Sequence, residues 1–154
     1  MPKQYWLMKT EPEVFSIDML KKKKRGPWDG VRNFQARNYM MNHMNLGDLV
    51  LYYHSSCEPP GVAGLARVCK KAYPDFTQFD KKSDYYDPRA TQEKPIWFMV
   101  DVEFVEKFPH FVSLDELKTH PELEGMLVLK RGMRLSIQPV SEYHFKFVRR
   151  LGGL

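Results

Sequence analysis

At 154 residues and 43% hydrophobic content, residues 1–154 are expected to form one domain around a continuous core, because two ordinary domains would not fit. The balance of 24 Lys+Arg against 19 Asp+Glu leaves a net charge of +5, compatible with a polyanionic partner but also common among ordinary proteins. Cys57 and Cys69 form neither a C-x-x-C pair nor a dense framework, and no run approaches the roughly 20 apolar residues of a membrane span. These features exclude a thiolate metal cage, a secreted disulfide scaffold and a membrane protein, and point to a soluble intracellular chain, cytoplasmic or, in a eukaryote, nuclear.

Tyr5 to Thr10 reads as a short opening strand stopped by Glu11-Pro12. Ser16 is placed to cap a helix from Ile17 to about Lys24, whose terminal lysines suit the negative end of its dipole before Gly26-Pro27 breaks it. Phe34, Arg37 and Met41 recur at helical spacing, so a second helix is expected over 33–44, stopped by Asn45-Leu46-Gly47-Asp48. Leu49 to Ser55 reads as a central strand with Leu49, Leu51, Tyr53 and Ser55 on one side and Val50, Tyr52 and His54 on the other.

After the Glu58-Pro59-Pro60-Gly61 turn, Val62 to Tyr73 is expected to pair back as a hairpin or meander. Pro74 to Pro95 is too long for a plain connection and is a candidate lid or binding edge. Trp97 to Phe108 carries the longest strand signal, Ser113-Leu114-Asp115-Glu116 a capping box for a short helix, Leu135 to Val140 another strand, and Ser141 to Leu151 a terminal helix burying Phe145 and Val148. Strands interrupted by short helices, without regular alternation, favour an α+β chain built on a small mixed barrel.

The chemistry-bearing residues favour binding over catalysis. His54 and Ser55 are neighbours on a strand, so they point to opposite faces and cannot form a nucleophile–base pair. The five histidines lack the i, i+4 pairing of a metalloprotease helix, so no metal, no cofactor and no catalytic residue is assigned. Gly61-Val62-Ala63-Gly64 matches a GXXG loop but has extended flanks, Lys21 to Arg25 reads first as a solvated helix end, and Trp6 reads as core. Trp28 and Trp97 instead stand at element boundaries beside polar or basic residues, where plugging a barrel end and stacking on a ligand are equally open.

The richest stretch is Trp28-Asp29-Gly30-Val31-Arg32-Asn33-Phe34-Gln35-Ala36-Arg37. An indole, two guanidiniums, two amides and a carboxylate around one glycine suit a planar, negatively tethered ligand such as a nucleotide base. Together with Trp6-Leu7-Met8-Lys9-Thr10-Glu11-Pro12, Tyr53-His54-Ser55, Pro60 to Gly64, Ala72-Tyr73-Pro74-Asp75 and Arg134 to Pro139, this stretch makes the chain closely resemble the EVE-domain family along nearly its whole length. Thr10 stands where many members carry serine, a hydroxyl-for-hydroxyl change.

The resemblance implies a PUA-like mixed β-barrel with short peripheral helices, related to the YTH readers of methylated RNA. It also implies a pocket for a modified, flipped-out base, several members being described as binding modified cytosine in DNA. By similarity to the YTH pocket, Trp28 and Trp97 would flank the base. The expected site has Trp28 and Trp97 stacking, Asn33, Tyr53, Ser55 and Thr10 reading polar edges, and Lys9, Arg32 and Arg37 holding phosphates. The expected partner is nucleic acid carrying a modified base, either DNA or, in a YTH-like mode, RNA. An enzyme acting on a nucleotide and a protein-interaction module built on the Pro74 to Pro95 loop are the competing classes.

Overall fold

The computed structural model describes residues 3–154. Six strands, β1 (Tyr5–Thr10), β2 (Arg25–Pro27), β3 (Leu49–His54), β4 (Gly61–Pro74), β5 (Phe98–Ser113) and β6 (Ile137–Val140), make one sheet in the order β2-β5-β4-β3-β1-β6. Five short α-helices surround it: α1 (Pro12–Phe15), α2 (Ile17–Lys23), α3 (Phe34–Asn42), α4 (Leu114–Lys118) and α5 (Glu142–Leu151). The mixed sheet with peripheral helices is the expected architecture. Its ring is left open, because among the described residues β2 and β6 are free edges that do not pair with each other.

One pairing decides where a site can form. β1 and β3 run parallel, from Tyr5 opposite Leu49 to Thr10 opposite His54, whereas the other neighbouring strands are antiparallel. A parallel pair needs a crossover, here supplied by α1, α2, β2 and α3. The C-terminal ends of β1 and β3 therefore finish side by side, and Ser55 N–H extends the contact by donating to the Thr10 carbonyl at 3.0 Å.

Alternation along β3 is as read from the sequence, and both faces are covered. Val50 and Tyr52 join Trp6, Met8, Leu20, Ala36 and Met40 in one core, while Leu51 and Tyr53 join Leu7, Leu117, Phe145 and Val148 in the other. Trp6 is core, its indole N–H donating to Asp48 Oδ2 at 3.0 Å. The long strands β4 and β5 slip register at several points between Val62 and Tyr73, and such bulges bend the ladder and sharpen its twist.

The helix starts follow local chemistry. The side chains of Ser16, Asn33, Ser113 and Ser141 each accept the backbone N–H of the residue three positions further on, in α2, α3, α4 and α5. Two elements depart from expectation. Pro12 both ends β1 and starts the single turn α1, since a proline at the first helical position withholds only a donor that has no partner there. Arg25–Pro27, expected as a break, is a strand on β5, where Pro27 is tolerated because β2 is an edge. Among the described residues no helix is long and apolar enough to cross a membrane.

Candidate functional site

Where β1 and β3 end, a cavity of about 280 Å³ opens between them and the segment from Trp28 to Arg32. That volume lies near the lower end of ligand cavities, about 300–1,000 Å³, and suits one base rather than a length of polymer. Its floor is aromatic. Trp28, buried at 5% exposure, meets the Tyr52 ring edge-on at 5.3 Å and leans on Phe15 at 6.0 Å, and its backbone N–H is held by the Val100 carbonyl. Thr10, Ser55, Ser136 and Asp29 bring polar groups, Lys9 and Arg32 bring cations, and Tyr85 closes one side.

The Tyr85 wall depends on a buried carboxylate. Asp75, wholly buried, accepts from Gly30 N–H at 2.8 Å, Thr77 N–H at 2.8 Å, the Thr77 hydroxyl and Arg32 Nη1 at 3.1 Å. Gly30 sits at φ +81°, and a Cβ there would come within 2.8 Å of the Tyr85 ring, so a side chain fits neither the backbone nor the space.

Arg32 lines the cavity but its hydrogen-bonding capacity is spent inside the protein. All five of its N–H groups are engaged, Nε and Nη2 on the Tyr85 carbonyl, Nη2 also on Thr77 Oγ1, and Nη1 on the Val31 carbonyl and Asp75. Its charge is paired with the buried Asp75, and it fastens the loop carrying Tyr85 to the strand-end segment. A direct fork on phosphate, the expected role, would require breaking those bonds.

Of the nine residues expected at the site, Lys9, Thr10, Trp28, Arg32 and Ser55 line this cavity. Asn33, Tyr53, Trp97 and Arg37 do not. Asn33 starts α3, its side-chain oxygen accepting from Ala36 N–H at 2.9 Å. Tyr53 packs in the opposite core, and burial pushes its phenol up to about 12. Its shared face with Ser55 carries no weight, because β3 ends at His54 and the backbone turns sharply at Ser56, φ 53°.

Trp97 is a fastening of the 74–97 loop. Its indole N–H donates to Asp87 Oδ2 at 2.9 Å, its ring stacks on Phe34 at 4.8 Å, and only 4% of it is exposed. Hydrogen bonds from Arg89 and then from this indole hold the Asp87 carboxyl well below the usual carboxylate range. Arg37 donates to the Ile96 carbonyl at 2.9 Å and lies over the Phe34 ring, on the same side as Trp97. The loop itself closes around the buried Gln78, whose amide bonds the Asp75 and Trp97 carbonyls and the Ile96 and Trp97 N–H groups.

Phe15, Asp29, Tyr85 and Ser136 also line the cavity without having been assigned to it from the sequence. Asp29 had a signal, as the carboxylate inside the richest stretch; Tyr85 lies in the Pro74 to Pro95 loop read as a candidate binding edge and Ser136 in the Arg134 to Pro139 stretch, though no local pattern singles out either residue. The Asp29 carboxyl, at the rim, is pushed above the ordinary carboxylate range, first by loss of solvent and then by the Asp75 charge. Burial lowers the Lys9 ammonium, whose Nζ donates to the Met133 carbonyl at 3.2 Å.

An indole-lined hollow at the joined ends of two parallel strands, carrying hydroxyls and a lysine, has the size and lining of a site for a flat polar ligand. The chain belongs to the EVE-domain family, whose model matches residues 4–151. Thymocyte nuclear protein 1 of Homo sapiens is 44% identical over 166 residues, spanning 96% of this chain and 73% of the relative. Among solved structures, a hypothetical protein from Leishmania major is 51% identical with a TM-score of 0.93, covering 98% of this chain and 95% of that one. Human THYN1 protein in complex with 5-methylcytosine-containing DNA is 44% identical with a TM-score of 0.90, covering 99% of both chains.

Proposed function

We propose that this protein is a non-catalytic reader that takes a single modified cytosine, flipped out of DNA, into the cavity over Trp28. The observation that carries the reading is this base-sized, indole-floored hollow in a chain that superimposes along its length on a relative in complex with 5-methylcytosine-containing DNA. Trp28 offers the stacking surface, with Phe15 and Tyr85 beside it. Thr10 and Ser55 meet the polar edge. Asp29 is suited to accept from the exocyclic amine of cytosine, a donor that carboxylates read elsewhere. Lys9 faces the phosphate tether.

Magnitudes limit what this site can do alone. Stacking supplies about 1–3 kcal/mol per base, which roughly offsets the few kcal/mol needed to extrude it from a duplex. A buried methyl adds about 0.8 kcal/mol, or roughly fourfold, so discrimination by apolar contact is modest and charge must supply much of the affinity.

The test is a titration of labelled duplexes that differ only in one cytosine, unmodified or 5-methylated, against the wild type and Trp28→Phe, which keeps a core aromatic. The wild type should prefer the methylated duplex by roughly fourfold, as the methyl arithmetic gives, and Trp28→Phe should weaken both complexes. Equal affinity for the two duplexes, or unaltered binding by Trp28→Phe, would refute the reading. Tighter binding of a modified RNA strand would move it to the YTH-like alternative.

A further inference from the structure

Lys9 has a cavity on each side. Beyond it lies a second hollow of about 470 Å³, whose charged lining residues are all cationic: Lys9, Lys118, Lys130, Arg131 and Arg134. Lys118, Lys130, Arg131 and Arg134 are exposed, and among the described residues none of the four enters an ion pair. Glu124 stands beside Lys118 and Lys130 in the adjoining hollow, but among the described residues no carboxylate lines this one, and four solvent-facing cations gathered on one concavity repel one another, an arrangement that a polyanion relieves.

The two hollows are joined mechanically as well as by charge. The 130–136 segment is held to β1 by Lys9 N–H on the Ser136 carbonyl at 2.8 Å and by Lys9 Nζ on the Met133 carbonyl at 3.2 Å. Ser136 lines the base cavity, while Arg134, two residues earlier, lines the basic one. The turn between them is tight, with Met133 N–H donating to the Lys130 carbonyl and Gly132 at φ +75°. A strand whose base enters the first hollow would thus have its adjoining backbone directed toward the second.

We infer that the hollow between the 130–134 turn and α4 is a seat for the phosphodiester backbone next to the extruded nucleotide, with Arg131 and Arg134 contacting phosphates and Lys118 and Lys130 flanking them. The inference rests on the base-reading function proposed above and adds to Lys9 the phosphate contacts that Arg32, internally engaged, does not supply. The seat is sequence-independent: it strengthens binding to modified and unmodified strands equally.

The experiment measures affinity of the full chain for a 5-methylcytosine duplex and its unmodified twin between about 50 and about 200 mM salt. The variants are Arg131→Gln/Arg134→Gln and, as a matched loss of charge outside both cavities, Arg149→Gln/Arg150→Gln on α5. Two lost phosphate contacts flatten the log–log salt slope by about 1.8, so across this range wild-type affinity should fall about tenfold more than that of Arg131→Gln/Arg134→Gln. The preference for the methylated duplex should be unchanged in that variant. Adding Lys118→Gln should flatten the slope further. An unchanged slope with the preference intact overturns the seat alone, as does equal flattening by the α5 pair. A wild type that shows no preference overturns the base reading and the seat with it.

Discussion

Replacing Asp75 with alanine should cost more stability than any surface change in this protein, and the reason can be followed bond by bond. Its carboxylate is wholly buried and receives four donors, among them the guanidinium of Arg32, whose side chain is 21% exposed. Removing one partner of a buried ion pair costs about 3–5 kcal/mol, and a buried donor left without an acceptor about 1–3 kcal/mol. The Thr77 hydroxyl can turn toward water and Arg32 keeps its carbonyl partners, so the lower part of that range applies, about 3–4 kcal/mol. For a chain of this length the midpoint of thermal unfolding should fall by about 6–16 °C. Asp75→Asn keeps one acceptor oxygen and should lose roughly half as much. Urea unfolding followed by tryptophan fluorescence measures both, because Trp28 and Trp97 lie on either side of this cluster. A loss below about 1 kcal/mol for Asp75→Ala would mean that the carboxylate does not fasten the loop, and the account of the Tyr85 wall would fail.

Other expectations follow from the same geometry. Gly30→Ala forces a side chain into left-handed backbone and against Tyr85, so it should lose about 1–2 kcal/mol or more on urea unfolding; a neutral result would show that Tyr85 yields freely. Trp97→Phe loses the bond to Asp87, about 1 kcal/mol of stability, but should leave affinity for a 5-methylcytosine duplex unchanged, and a tenfold loss of affinity would return Trp97 to the site. Stability should also decline as pH falls below about 6.5, the ordinary histidine value. Burial lowers His54, outweighing the Thr10 carbonyl and Asp18, so near that pH the unfolded chain binds a proton that the folded chain refuses. Its Nε2 accepts from Ile17 N–H at the start of α2, which a protonated ring cannot do. His54→Gln should flatten this part of the profile, and an unaltered slope between pH 5.5 and 7 would refute the assignment.

What could be read from the sequence follows the range of the interactions. Ser16, Asn33, Ser113 and Ser141 act on N–H groups three residues away, and a polar residue before an apolar rhythm is a local signal. The alternation of β3 is equally local, as was the choice of Trp6 for the core. By contrast, β2 exists only because β5 lies beside it. The true partners of Arg32 and Trp97 are Asp75, Tyr85 and Asp87 in a loop whose path no periodicity marks. An arginine beside a tryptophan looks the same in sequence whether it faces a phosphate or a neighbouring carbonyl. The motif therefore carried the family resemblance and pointed to the candidate cavity, while the proposed allocation of roles within it required knowing which donors were already engaged.

The open ring leaves two unpaired borders, and each carries an imino acid, Pro27 on β2 and Pro139 on β6. A residue that lacks an amide proton interrupts the row of donors that another chain would need in order to dock strand against strand. Self-association through sheet extension is thereby discouraged at both margins, and the barrel need not be sealed to guard against aggregation.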